Sequence, residues 1–441
     1  MPDHVILLSI PGLRAQDLSA MPRLSALMAG GDRTELTPSF PAVTCCVQAN
    51  MLTGLPPTEH GVVANGFYWR DRGAVEMWTS PSDCVGRPSL WDILHEQATG
   101  VTSAAWFPLH AKGCGADFCC TPSPIHNPDG SESLWCYTRP TPLYGELVAE
   151  LGHFPLMHFW GPLANIKSTA WIVSSAIAAA ERFRPHLFYV YLPHLDYAAQ
   201  KFGPDSPQAL QSVVDLDAEI GRLIDGLTAA LAPATPLWLA ASEYVITPVD
   251  HVLYPNRVLR EAGLLTTRQT DDGELIDFRE SAAWALCDHQ FSHVYLRKPS
   301  RELAEQVEKL LTAQAGVAEV IDPYDAPQYD LAHERSGELV VVSEPHSWQA
   351  YYWWLDDAAA PKFARSVDIH RKPGYDPVEL FFDPATKSIP LDASLVKGSH
   401  GAPAREAFQR GVLLSSQRGV FVEGPTADTD VADIVLRQFG I

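Results

Sequence analysis

Three segments far apart in the chain carry residues able to assemble a metal centre. Asp196 follows the apolar run LFYVYL (187–192), Glu243 and Tyr244 follow the run 236–241, and His400 stands in Gly398-Ser399-His400-Gly401. Carboxylates and a histidine supplied from strand ends are donors to a divalent cation, which acts as a Lewis acid toward phosphoryl or carbonyl oxygen. Thr44 follows the turn Pro38-Ser39-Phe40-Pro41, and a threonine there suits the N-cap of a helix. The segment Asp288-His289-Gln290-Phe291-Ser292-His293 adds two histidines four residues apart. They share one face of a helix or of a strand, and so offer two further ligands. His194 shares the face of Asp196 if the strand before it continues. In the polar cluster 368–376, Arg371 and Lys372 suit a clamp on phosphate or carboxylate, with His370 a further candidate donor. Taken singly, these residues read equally well as loop caps, hydrogen-bonded core histidines or solvated surface. Cys45 sits where a helix N-terminus lowers a thiol pKa, but no base can be assigned to it.

Gathering such groups requires a rigid scaffold. The run VILLSI (5–10) before Pro-Gly reads as a buried strand. Helical periodicity covers 18–28, 44–52, 90–97, 168–183 and 207–231, and further strands are expected at 101–106, 187–192 and 236–241. Strands alternating with helices predict an α/β fold with a doubly wound, mostly parallel sheet. In such sheets ligands lie beyond the carboxyl ends of the strands, here the turns after Ile10, Leu192 and Ala241. Residues 1–245 form the expected α/β core. From 246 to 390 the pattern changes and aromatics accumulate (Tyr351, Tyr352, Trp353, Trp354), which predicts an inserted, smaller α+β region. Residues 391–441 return to the core.

The chain has 441 residues, 46% of them hydrophobic and 19% charged, enough to bury a large core and too apolar for a disordered chain. Its net charge of −21, from 53 acidic against 32 basic residues, repels phosphate backbones and anionic lipid, which argues against nucleic-acid and membrane partners. A bound cation reverses that sign locally and leaves anionic small substrates open. No apolar run reaches the roughly 18 residues of a membrane span. The first residues lack a basic leader, so a cytoplasmic location is expected. Eight cysteines without a C-x-x-C pair are expected to be free thiols in a reducing compartment.

The combination resembles the alkaline phosphatase superfamily, and within it the nucleotide pyrophosphatase/phosphodiesterase group. Pro38-Ser39-Phe40-Pro41-Ala42-Val43-Thr44, then Thr53-Gly54, Glu59-His60-Gly61 and Asn65, resembles the nucleophile segment of that family without a gap. Lys201-Phe202-Gly203-Pro204-Asp205-Ser206 resembles its metal-binding turn, and Ser399-His400-Gly401 its last ligand. The resemblance implies a sheet of alkaline-phosphatase type. It implies Thr44 as nucleophile, Asn65 as donor to a non-bridging oxygen, and Asp196 with His400 on one metal. It also puts Glu243 where the family has aspartate. Three positions depart from the family: Pro11 replaces an aspartate, Gln200 a histidine and Tyr244 a histidine. His289 and His293 are the expected replacement ligands, while Gln200 and Tyr244 join Arg371 and Lys372 around the substrate. The implied activity is metal-dependent hydrolysis of a phosphate ester or diester of a small molecule. The expected cofactor is one or two divalent ions, zinc first, with manganese or iron as alternatives. A non-hydrolytic metal enzyme (isomerase or lyase) and a catalytically silent binding protein are the competing readings.

Overall fold

The computed structural model describes residues 2–127, 132–421 and 424–441. Within them the strands run in chain order as β1 (Val5–Ile10), β2 (Arg33–Thr37), β3 (Ser103–Trp106), β4 (Phe118–Pro122), β5 (Cys136–Arg139), β6 (Leu187–Tyr191) and β7 (Leu237–Ser242). Then come β8 (Ala283–Asp288), β9 (Phe291–Leu296), β10 (Val317–Ile321), β11 (Leu339–Ser343), β12 (Gly411–Ser415) and β13 (Thr426–Ala427). Nine of them form one sheet in the order β13-β2-β12-β7-β1-β6-β3-β4-β5. Its centre is parallel: β1 lies between β6 and β7, and β3 flanks β6. β12 pairs antiparallel with β7 and with β2. This is the doubly wound, mostly parallel sheet that the alternation of apolar runs predicts, of the alkaline-phosphatase type that the resemblance implies.

Every residue of β1, β6 and β7 is buried, as strands covered by helices on both faces must be. In register, Ile10 lies beside Ser242, and Ser9 beside Tyr191. The carboxyl ends of the three central strands therefore bring Pro11, the 193–196 turn and Glu243-Tyr244 to one edge. Helices α1 (Thr44–Thr53), α2 (Ile166–Phe183), α3 (His194–Phe202) and α4 (Pro207–Leu231) include those that matter for the site. Asn165 caps α2 and Ser206 caps α4.

The smaller sheet has the order β8-β9-β11-β10 and is antiparallel throughout. Its apolar cluster includes Trp284, Trp348 and the run Tyr351 to Trp354, joined by Met77 from the first part of the chain. A third cluster, with Phe40, Val43 and Cys46 against Phe291 and Val340, couples the start of α1 to this sheet.

Local expectations shift in three places. The helix expected over 18–28 divides into a 3-10 turn (Asp17–Ala20) and a helix (Pro22–Met28), because Pro22 lacks the N–H a continuous helix needs. The chain after β6 turns at once into α3, so His194 and Asp196, two residues apart, point to different sides instead of sharing a strand face. Helical geometry puts Asp196 and Gln200, four apart, on one side. Finally, the N-cap of α1 is Val43, and Thr44 is the first helical residue. Its hydroxyl is therefore not consumed in capping.

Candidate active site

Thr44 lies at the start of α1, which is buried along its whole length. Its Oγ1 is 2.9 Å from the Tyr244 hydroxyl. Tyr244 donates in turn to Asp196 Oδ1 at 3.3 Å, so Thr44 is left to donate to Tyr244. The second oxygen of Asp196 accepts from Gln200 Nε2 at 2.8 Å, and Gln200 Oε1 accepts from the Tyr375 hydroxyl at 2.7 Å. Two relays, one from Thr44 and one from Tyr375, thus converge on one carboxylate.

Rings close the arrangement. Tyr244 stacks on His400 with centroids 3.6 Å apart, His400 lies 3.9 Å from His289, and His289 stacks on Tyr375 at 3.6 Å. His400 donates through Nδ1 to Ala42 O at 2.8 Å, and its Nε2 is 3.8 Å from Asp196 Oδ1. That Nε2 is buried with no hydrogen-bond partner. Glu243 Oε1 accepts from Ser9 at 2.6 Å and from Gln48 at 2.8 Å, while its Oε2 is buried and unpartnered.

Asn65 is fixed on both sides. Its main-chain N–H and its Nδ2 donate to Asp288, at 2.7 and 3.0 Å, and its Oδ1 accepts from Cys45 N–H at 3.0 Å. Asp288 also meets His289 Nδ1 at 2.6 Å. Sequence reasoning gave no role to Ser9, Gln48, Asp288 or Tyr375. Gln48 was within reach of it, because four residues after Thr44 on a helix is the same face.

Burial governs the charges. It raises Glu243 to about 8, against hydrogen bonds from Ser9 and Gln48 that pull it down. Burial raises Asp196 to about 7 and Asp288 to about 6. The same desolvation lowers His400 and His289 and raises Tyr244. Among the described residues, no lysine or arginine is hydrogen-bonded or ion-paired to these three carboxyl groups.

The other sequence candidates lie elsewhere. His293, on β9, donates through Nε2 to Val63 O and accepts from Gly337 N–H at Nδ1, so both ring nitrogens are committed to backbone. His289 sits in the β8–β9 turn at φ 57° and does reach the site. Lys372 is buried and bonded to Asp376, Glu379 and Ser366 O, so its charge is fully used. Arg371 is exposed, pairs with Asp368 and lines a separate cavity. His370 lines that cavity too, and His194 is buried against another one beside Tyr197. Burial raises the Cys45 thiol instead of lowering it.

The donors do not fit two metal ions. Pro11 has no donor, Gln200 offers a neutral amide bonded on both sides, and Tyr244 offers a phenol held protonated. Among the described residues, no three His, Cys, Asp or Glu side chains gather as a metal-binding group.

A family model, type I phosphodiesterase/nucleotide pyrophosphatase, matches residues 5–376. An uncharacterized pyrophosphatase/phosphodiesterase of Schizosaccharomyces pombe is 28% identical over 231 residues, 51% of this chain and 40% of that protein. The chain thus matches less than half the length of that relative. Murine ectonucleotide pyrophosphatase/phosphodiesterase 5 superposes with a TM-score of 0.63 at 15% identity, over 99% of this chain and 95% of that one. Phosphonoacetate hydrolase from Sinorhizobium meliloti, in complex with phosphonoformate, gives 0.64 at 16% identity over 99% and 96%. At these identities the structural likeness concerns the fold. Among the described residues, no helix is long and apolar enough to cross a membrane.

Proposed function

The chain belongs to the type I phosphodiesterase/nucleotide pyrophosphatase family of the alkaline phosphatase superfamily, and on that premise we propose that it hydrolyses phosphate esters of a small molecule with Thr44 as nucleophile. One observation carries this reading: the Thr44 hydroxyl is free of capping and faces Tyr244 in a centre that includes the half-unpartnered carboxyl group of Glu243. The donor set does not suit two divalent ions, so activation of the hydroxyl is assigned to side chains.

Thr44 Oγ1 attacks phosphorus, the bond to the leaving oxygen breaks, and the threonine proton, turned away from Tyr244, passes to Glu243, with which Thr44 is also in hydrogen-bond reach. The leaving oxygen takes a proton from solvent. Water then attacks the phosphothreonine, the Thr44 Oγ1–P bond breaks as Glu243 returns the proton to Thr44, and the proton of the attacking water leaves to solvent. The N-terminus of α1 is assigned to the negative oxygens, and Asn65, with Nδ2 bonded to Asp288 and Oδ1 to Cys45 N–H, keeps one amide hydrogen for them. Three buried carboxyl groups without a cationic partner disfavour a dianion, so a diester with one negative charge suits the centre better than a monoester. The eight free thiols suit a reducing, cytoplasmic setting.

Turnover of bis(4-nitrophenyl) phosphate and of 4-nitrophenyl phosphate, by the wild type and by Thr44→Ala, tests the proposal. Faster cleavage of the diester, its loss in Thr44→Ala, and a phosphothreonine trapped by acid quench are expected. Full turnover by Thr44→Ala overturns it. A second reading, a silent phosphate-ester binder, is favoured by the 5% exposure of Thr44 behind Tyr244. Binding of the diester by a wild type that never cleaves it decides for that reading.

A further inference from the structure

A separate cavity of about 540 Å³ opens in the smaller α+β region, and Arg268, Arg279 and Arg371 all line it. Its walls are the hairpin formed by Thr267–Thr270 and Gly273–Ile276, the strand Ala74–Met77 and the loop 370–373. Phe278, Trp353 and Phe363 supply aromatic surface, and the Arg371 guanidinium lies 5.9 Å from the Phe363 ring.

The charge there opposes that of the whole molecule. In a chain of net charge −21, three guanidinium groups meet one lining carboxylate, Asp277. That carboxylate already accepts the N–H groups of Arg279 and Glu280 through Oδ1. Arg371 is paired with Asp368. Among the described residues, the Arg268 and Arg279 guanidinium groups have neither an ion pair nor a hydrogen bond. Two unspent planar forks beside aromatic walls have the chemistry to hold a phosphate bidentately while a flat ring packs against the wall. The volume lies within the range of small-molecule sites, about 300–1,000 Å³.

We infer that this cavity binds a phosphate monoester of a planar aromatic group, of the size of a nucleoside monophosphate, at a site separate from Thr44. The contrast with the Thr44 centre is chemical. Carboxyl groups there disfavour a dianion, whereas the exposed arginines here favour one. The inference does not depend on turnover at Thr44.

Calorimetric titration of the full chain with adenosine 5′-monophosphate tests it, with adenosine and inorganic phosphate as ring-only and charge-only probes. The monophosphate is expected to bind about tenfold more tightly than either probe, and the affinity to fall as salt rises. The double variant Arg268→Ala/Arg279→Ala, whose side chains are exposed, is expected to keep its Tm and to lose about tenfold or more in affinity. Thr44→Ala is expected to bind as the wild type does. Three results overturn the inference: no saturable binding of the monophosphate, an affinity unchanged in the double variant, or binding lost in Thr44→Ala.

Discussion

The segment around Thr44 and the strand ends that face it depart from the family pattern to different degrees. Thr44 and Asn65 keep the residue types and spacing of the family segment, on a buried helix whose first turn is packed against β9 and β11. Opposite them, Pro11, Gln200 and Tyr244 replace three residues that the resemblance marks as metal ligands. The replaced positions have not decayed into holes. Tyr244, His400, His289 and Tyr375 stack in series, and Tyr244, Gln200 and Tyr375 tie that stack to Asp196 by hydrogen bonds. Where the resemblance marks ligands that need a cation to offset their charge, Gln200 and Tyr244 are neutral groups hydrogen-bonded to Asp196, Thr44 and Tyr375. On the proposed reading, one family fold keeps its nucleophile and rebuilds the opposite wall around hydrogen bonds.

The largest expected effect comes from reversing that wall. Pro11→Asp, Gln200→His and Tyr244→His together take Tyr244 out of the row of rings and place three donors beside Asp196, Glu243 and His400. The triple variant is expected to retain zinc through gel filtration, with a dissociation constant on the order of 1 µM or tighter, where the wild type retains none. Metal analysis of both proteins measures it. A triple variant that folds and remains metal-free removes the distinction between the Thr44 segment and the wall opposite it. Next in size is Thr44→Ala, expected to lower diester turnover by at least about 10³-fold with little change in KM. Thr44→Ser is expected to retain most of the activity.

The large sheet was legible because its central strands are short apolar runs, each closed by a turn, and the Pro207–Leu231 helix was legible from its periodicity alone. Asp196 and Glu243 stand after strand ends, where chemistry collects in such sheets, and His400 was singled out by the family resemblance of Ser399-His400-Gly401. Other features were not legible for physical reasons. The local pattern around His293 fits ligand and structural histidine alike, and only the fold reveals that Val63 and Gly337 take both nitrogens. Lys372 looked like a phosphate clamp because the apposition of Asp376 and Glu379 depends on a 3-10 turn (Pro377–Leu380) that no simple period announces. Tyr375 was passed over because its partner, Gln200, lies 175 residues away.

A smaller effect separates the two sides by pH. Burial raises Glu243 from its ordinary 4.5 to about 8. Between those values the folded chain holds a proton that the unfolded chain has lost, so stability falls as pH rises through the window. The limiting slope from this group is about 1.4 kcal/mol per pH unit. Glu243→Gln, which keeps the shape and removes the titration, is expected to flatten the fall between pH 5 and pH 8 in urea denaturation. If Glu243 is the base, turnover moves the opposite way, rising with pH toward about 8 as the carboxylate forms. An unchanged stability slope in Glu243→Gln places the titration on other groups.

The smallest effect concerns the rebuilt wall itself. Tyr375→Phe keeps the ring stacked on His289 and deletes the donor to Gln200 Oε1. A buried acceptor left without its partner costs about 1–3 kcal/mol. Tyr375→Phe is therefore expected to lower stability by that amount without altering the charge of the site. Replacing the partner as well, with Gln200→Leu, removes the orphaned acceptor, although it also frees one oxygen of Asp196. The double variant is then expected to be less destabilised than the sum of the single changes, which a double-mutant cycle in urea reads directly. Strict additivity would mean that Tyr375 and Gln200 contribute separately, and that the wall opposite Thr44 is a collection of fillers instead of a coupled unit.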